Sequence, residues 1–104
     1  MRPRRRLEVL LVSMLAGPAV AAAEPMAADG AGCSDRAVAA ALVAAPFEGP
    51  EYIRIWAKGM QDGSCRGYAR GEDVAVDEVA DDMSCVRASD DAVCFWVSKD
   101  MAPR

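Results

Sequence analysis

The chain has 104 residues, of which 53% are hydrophobic and 27% charged, with four cysteines and no histidine. That length allows one small folded unit and excludes a multi-domain enzyme, while the missing histidine removes the commonest general base and the usual serine hydrolase triad. The net charge of −4 is unevenly spread, because an arginine-headed apolar leader precedes an acidic body.

Residues 1–23 read as a cleaved signal peptide. Arg2, Arg4, Arg5 and Arg6 form the positive cluster, Val9 to Ala16 the short apolar core, and Ala21-Ala22-Ala23 the small side chains that signal peptidase requires. Fewer than a dozen residues separate Glu8 from Pro18, against about twenty for a spanning helix, so no membrane anchor is expected after cleavage. Removal of the leader leaves 81 residues with eight basic and fifteen acidic groups, net −7. A body this acidic repels a polyphosphate backbone, so no nucleic-acid partner is expected. The expected location is periplasmic or secreted.

Residues 24–32 hold alanine, glycine and one proline with little to bury and read as a flexible tail. A single disulfide-stapled domain is expected over 33–104. Ser34 or Asp35 can cap a helix over Ala37 to Ala45, which Pro46 stops, with Val38 and Leu42 one turn apart on its apolar stripe. The run Tyr52 to Lys58 is rich in aromatic and branched side chains and reads as a strand, with Ile53, Ile55 and Ala57 on one face and Tyr52, Arg54, Trp56 and Lys58 on the other. A helix behind Pro50 is the alternative there, since Ile53, Trp56 and Met60 also recur at helical spacing. Ser64 to Arg70 returns as a second strand with Gly67 as a candidate bulge, and Glu72 to Asp82 suits an edge strand or a short helix.

Met83 to Arg87 and Ala92 to Ser98 form a hairpin around Ser89-Asp90-Asp91, in a register that sets Val86 against Val93 and Cys85 directly opposite Cys94. A cross-strand pair of that kind can close a disulfide, which leaves Cys33 to Cys65 as the second bridge. An even cysteine count in a short exported chain points the same way. Cysteine separations of 32, 20 and 9 contain no Cys-x-x-Cys pair, so neither a redox site nor a zinc knuckle is expected, and no metal or cofactor is assigned.

The expected fold is therefore α+β: a short N-terminal helix packed on a small antiparallel meander of three or four strands, held by two disulfides. Its core would draw on Val38, Leu42, Ile53, Ile55, Val86, Val93 and Phe95. The alternative is a small disulfide-linked all-α domain.

No catalytic residues are assigned. Ser98 beside Lys99 is a neighbouring pair whose side chains leave a strand on opposite faces, and Asp81-Asp82 and Asp90-Asp91 are adjacent acids in turns, not separated carboxyls across a cleft. The six acids between Glu72 and Asp82 lack the alternating oxygen ligands and central glycine of a calcium loop. They follow Arg54, Lys58, Arg66 and Arg70, a division of charge that can steer a charged partner. Phe95 and Trp96 fall on opposite faces of the last strand. With the helix over Phe95, Trp96 would lie outside beside Trp56, flanked by Arg54 and Lys58, as a protein-binding face of hot-spot composition. The alternative is that both tryptophans pack within a thin two-layer core.

The run Cys65-Arg66-Gly67-Tyr68-Ala69-Arg70-Gly71 resembles a Cys-x-Gly-Tyr-x-x-Gly stretch in a mainly helical family of periplasmic immunity proteins that neutralise type VI secretion amidases. It covers seven of the 81 residues, and what it implies is a periplasmic inhibitor. The functional expectation is thus a small exported protein-binding domain, not an enzyme, with an inhibitor or immunity-type role; the alternative is an envelope structural or accessory protein without a discrete ligand site.

Overall fold

The structure is a computed structural model that describes residues 22–104. The signal-peptide reading of 1–23 lies outside the described residues except for its last two. Over the described residues the fold is α+β, with two helices and a six-stranded antiparallel sheet closed by two disulfides, Cys33–Cys65 and Cys85–Cys94. In chain order the elements are β1 (Glu24–Pro25), β2 (Gly30–Cys33), α1 (Arg36–Ala44), α2 (Pro50–Asp62), β3 (Cys65–Tyr68), β4 (Asp73–Ala80), β5 (Met83–Arg87) and β6 (Phe95–Ser98).

The strands lie in the order β1-β4-β5-β6-β2-β3, in which β4-β5-β6 form the expected meander and β1, β2 and β3 extend it out of chain order. Only residues 26–29 join β1 to β2, and only 69–72 join β3 to β4, yet each link crosses four strand positions. On a flat sheet that separation is about 19 Å, beyond the roughly 17 Å that five peptide steps can span. The sheet must coil until its ends approach. Tyr68 of β3 and Val74 of β4 accordingly share one buried cluster on the concave face with Met26, Val86, Phe95 and Val97. The segment expected to be a loose tail is what makes this closure: Met26 is 2% exposed, its N–H donates to the Glu72 carbonyl, and its own carbonyl accepts from Gly71.

The convex face carries Cys33, Cys65, Met83, Cys85 and Trp96 under Ala39 and Leu42 of α1 and Ile55 of α2. Helix α1 begins at an Asp35 cap whose carboxylate accepts the Val38 N–H at 3.1 Å, and Pro46 follows its end. Its buried stripe is Ala39 and Leu42, so Val38, expected in the core, stands exposed.

Residues 50–62 correct the strand expected over 52–58. Pro50 occupies the first turn, where its missing N–H costs nothing, and Gly63 ends the helix in the left-handed conformation at φ 80°. Tyr52, Ile55, Trp56 and Gly59 then face inward at helical spacing. Ile53 points out, 53% exposed, because it lies a hundred degrees from that stripe. Gly59 is required by close approach: a Cβ there would collide with the Cys65 sulfur.

The terminal hairpin also differs in register. Cys85 lies opposite Trp96 and Val86 opposite Phe95, so Cys94 sits just before β6 and the Cys85–Cys94 bridge runs diagonally, with alpha carbons 5.3 Å apart. Val93 falls in the connection and is exposed, not in the core. The directly opposed pair is instead Cys33 and Cys65, whose alpha carbons are 4.0 Å apart. The irregularity expected at Gly67 is found in β4, between Val76 and Glu78. Two bridges of this kind suggest an oxidising, extracytoplasmic compartment. Among the described residues, no helix is long and apolar enough to cross a membrane.

Candidate functional site

The turn between the helices, Pro46-Phe47-Glu48-Gly49, is closed by a 2.9 Å bond from the Gly49 N–H to the Pro46 carbonyl. Glu48 adopts φ 63° there, a conformation that costs a non-glycine residue about 1–2 kcal/mol. Phe47, in the same turn, stands in solvent, 75% exposed, with the edge of Tyr52 against it at 5.1 Å between ring centres. Beyond it Ile53, Ala57 and Met60 form a second apolar stripe on α2, facing away from the sheet. Half-buried Trp56 lies between the two stripes, its ring over Gly67 of β3. Contiguous exposed apolar side chains of this kind mark binding surfaces more often than isolated ones do.

The residues expected to form one binding face separate. Trp96 is buried at 8% exposure because the helices cover its side of β6 and not that of Phe95, and the Arg36 guanidinium sits 5.5 Å from its ring. Phe95 is equally buried, since the coiled sheet encloses its face. Arg54 and Lys58 lie on the other flank of α2, in a groove of about 420 Å³ against α1, ion-paired with Glu51 and with Asp62 at 3.7 Å. Trp56 alone of the four borders the exposed aromatic surface. Ile53, expected in the core, and Phe47, for which the sequence carries no expectation, do form it. The available signal was an aromatic residue inside a Pro-x-x-Gly-Pro turn, which has no core to enter.

A polar knot holds the seam of the sheet. Arg66 donates to Asp91 and to Glu72, each at 2.7 Å, and stacks 4.1 Å from the Tyr68 ring. The Asp91 carboxylate also accepts the Tyr68 hydroxyl at 2.7 Å and the Ala88 N–H at 2.8 Å. Burial alone would raise the Asp91 carboxyl, but the Tyr68 hydroxyl, the Ala88 N–H and Arg66 together hold it below its ordinary value. The Tyr68 phenol is pushed up, first by burial and then by the carboxylate it donates to. Burial works against the Arg66 cation, yet the bond to Asp91 keeps it above the ordinary value. These groups are mutually satisfied and leave no free nucleophile or base.

The expected split into basic and acidic halves is partly cancelled. Arg66 reaches Glu72, Arg87 reaches Asp77 at 2.8 Å and Arg36 comes within 3.9 Å of Asp81. Among the described residues, no group of three or more histidine, cysteine or acidic side chains is placed to hold a metal ion. The run Cys65 to Gly71 is strand β3 and the turn after it. No family model matches the chain, and no curated protein or solved structure matches it either.

Proposed function

We propose that this protein is a small periplasmic or secreted protein-binding domain, and that the surface of Phe47, Tyr52, Ile53 and Trp56 receives its partner. One observation carries the reading: Phe47 stands in solvent within a strained turn when burial of that ring would have stabilised the fold by about 2 kcal/mol. Strained backbone persists only where the surrounding structure imposes it, here two flanking prolines and the closing bond to Gly49. Aromatic side chains so displayed are the anchors on which interfaces concentrate their energy. The net charge of −7 over residues 24–104, eight basic against fifteen acidic groups, argues against nucleic acid as the partner.

Quantitative capture from an extracytoplasmic extract tests the reading, comparing the oxidised wild type with Phe47→Ala and with Val79→Ala, which alters an exposed apolar residue on distant β4. A partner retained by Val79→Ala and lost by Phe47→Ala supports the face. A partner bound equally by both variants, or no specific partner, overturns it in favour of an accessory envelope role. An inhibitory or immunity-type role further requires that the captured partner lose an activity on binding.

A further inference from the structure

The binding face proposed above has a charge bias that specifies its partner's chemistry. Phe47 stands as a ridge between two hollows that share Gly30, Ala31 and Tyr52. One, of about 510 Å³, extends to Trp56, and the other, of about 240 Å³, extends to Met101. Among the described residues, the sole charged side chain lining the first is Glu48 and the sole one lining the second is Asp29. Neither carboxylate lies within 4.0 Å of a cation among the described residues. Asp29 is held in place by the Arg70 backbone N–H at 2.7 Å, which orients it without neutralising it. Arg54 and Lys58, the cations on α2, belong to the opposite flank and are already paired.

An apolar surface bordered by two unneutralised carboxylates disfavours an acidic partner and selects a basic one. Resting on the reading of this surface as the binding face, we propose that it receives a protein segment whose apolar side chain seats beside Phe47 and is flanked by lysine or arginine.

The probes are three capped tetrapeptides, Lys-Leu-Phe-Lys, Ser-Leu-Phe-Ser and Glu-Leu-Phe-Glu, titrated into the isotopically labelled, oxidised protein while backbone amide shifts are followed. The lysine peptide is expected to move Gly30, Ala31, Tyr52 and Trp56, and to bind on the order of fivefold tighter than the glutamate peptide at low salt. That preference should shrink in 0.5 M salt, where charges are screened within a few ångströms. Glu48→Gln should reduce that preference. Equal binding of the lysine and serine peptides at these hollows overturns the charge inference and leaves the apolar face standing. Shifts from the lysine peptide confined to the acids of β4 overturn it as well. Absence of any shift at the hollows overturns the inference, while the capture experiment judges the face independently.

Discussion

The Tyr68 hydroxyl donates to the Asp91 carboxylate at 2.7 Å, tying the last residue of β3, at one end of the strand order, to the connection between β5 and β6, the two strands at its middle. Arg66 completes the tie from two residues earlier on the same strand, so a single carboxylate gathers two side chains of β3.

Asp91→Asn should therefore destabilise the protein by about 2–3 kcal/mol, because it removes one of the two carboxylates 2.7 Å from the part-buried Arg66 cation and the charge of a largely buried acceptor for Tyr68 and Ala88. Chemical denaturation at pH 7 checks the value. A change under 0.5 kcal/mol would mean that Glu72 alone neutralises Arg66.

The same knot sets the pH response. The folded Asp91 carboxyl titrates below its unfolded counterpart near 3.9, so its stabilisation is complete above about pH 5 and is lost as pH falls through 4 and below. The folded Tyr68 phenol titrates above its unfolded counterpart near 10, so its contribution is present below that pH and lost above it. Urea midpoints measured from pH 2 to 11 should fall at both ends in the wild type. In Asp91→Asn the acid decline should be the shallower one.

Trp96→Ala and Phe47→Ala should separate stability from recognition. Trp96 is enclosed by the helices, and its truncation should cost about 3–5 kcal/mol, enough to unfold a domain of this size near physiological temperature. Phe47→Ala should change stability by less than 1 kcal/mol, since it removes little beyond an edge contact with Tyr52. Thermal melts of the two variants check the contrast, and a Trp96→Ala protein that melts with the wild type would contradict the buried placement.

Gly59→Ala runs against helix propensity. In an ordinary helix interior the change would stabilise by about 1 kcal/mol. Here the new methyl meets the Cys65 sulfur, so α2 must lift from the sheet and the variant should lose about 1–3 kcal/mol. A raised melting temperature would show that the helix does not sit so close to the bridge.

The two disulfides should differ in worth. Cys33 and Cys65 close a span of 32 residues and Cys85 and Cys94 one of 9, for which chain entropy gives about 3.5 and about 2.5 kcal/mol respectively. Paired Cys→Ser replacement at 33 and 65 should thus lower the midpoint of denaturation more than the same replacement at 85 and 94.

Much of the scaffold was legible along the chain. An Asp35 cap, an alanine-rich run and Pro46 specify α1 through contacts within a few residues of one another. Four cysteines in a short acidic body specify two bridges, and the proximity of residues 85 and 94 in a hairpin selects their pairing even though the strand register shifts by two, because a diagonal pair still brings the sulfurs together. Alternation also separates Phe95 from Trp96 correctly, since adjacent strand residues must face opposite ways.

What covers each face is not a local property. Tyr52 to Lys58 satisfies both a period of two and a period of 3.6, and only the need to lay an apolar stripe over the disulfide and Trp96 decides for the helix. Trp96 is buried and Phe47 exposed for the same reason: which side of a strand or turn meets solvent depends on where the rest of the chain has gone. The contribution of Met26 is a further case, because a residue in a weakly patterned segment gains a hydrophobic site only when the sheet coils. Sequence by itself determined the covalent staples, α1 and the alternation of the final strand, since these follow from near-neighbour chemistry. Tertiary structure alone decided the closure of the sheet, the helicity of 50–62 and which aromatic ring remained free to bind, because each depends on surfaces contributed by residues far away in the chain.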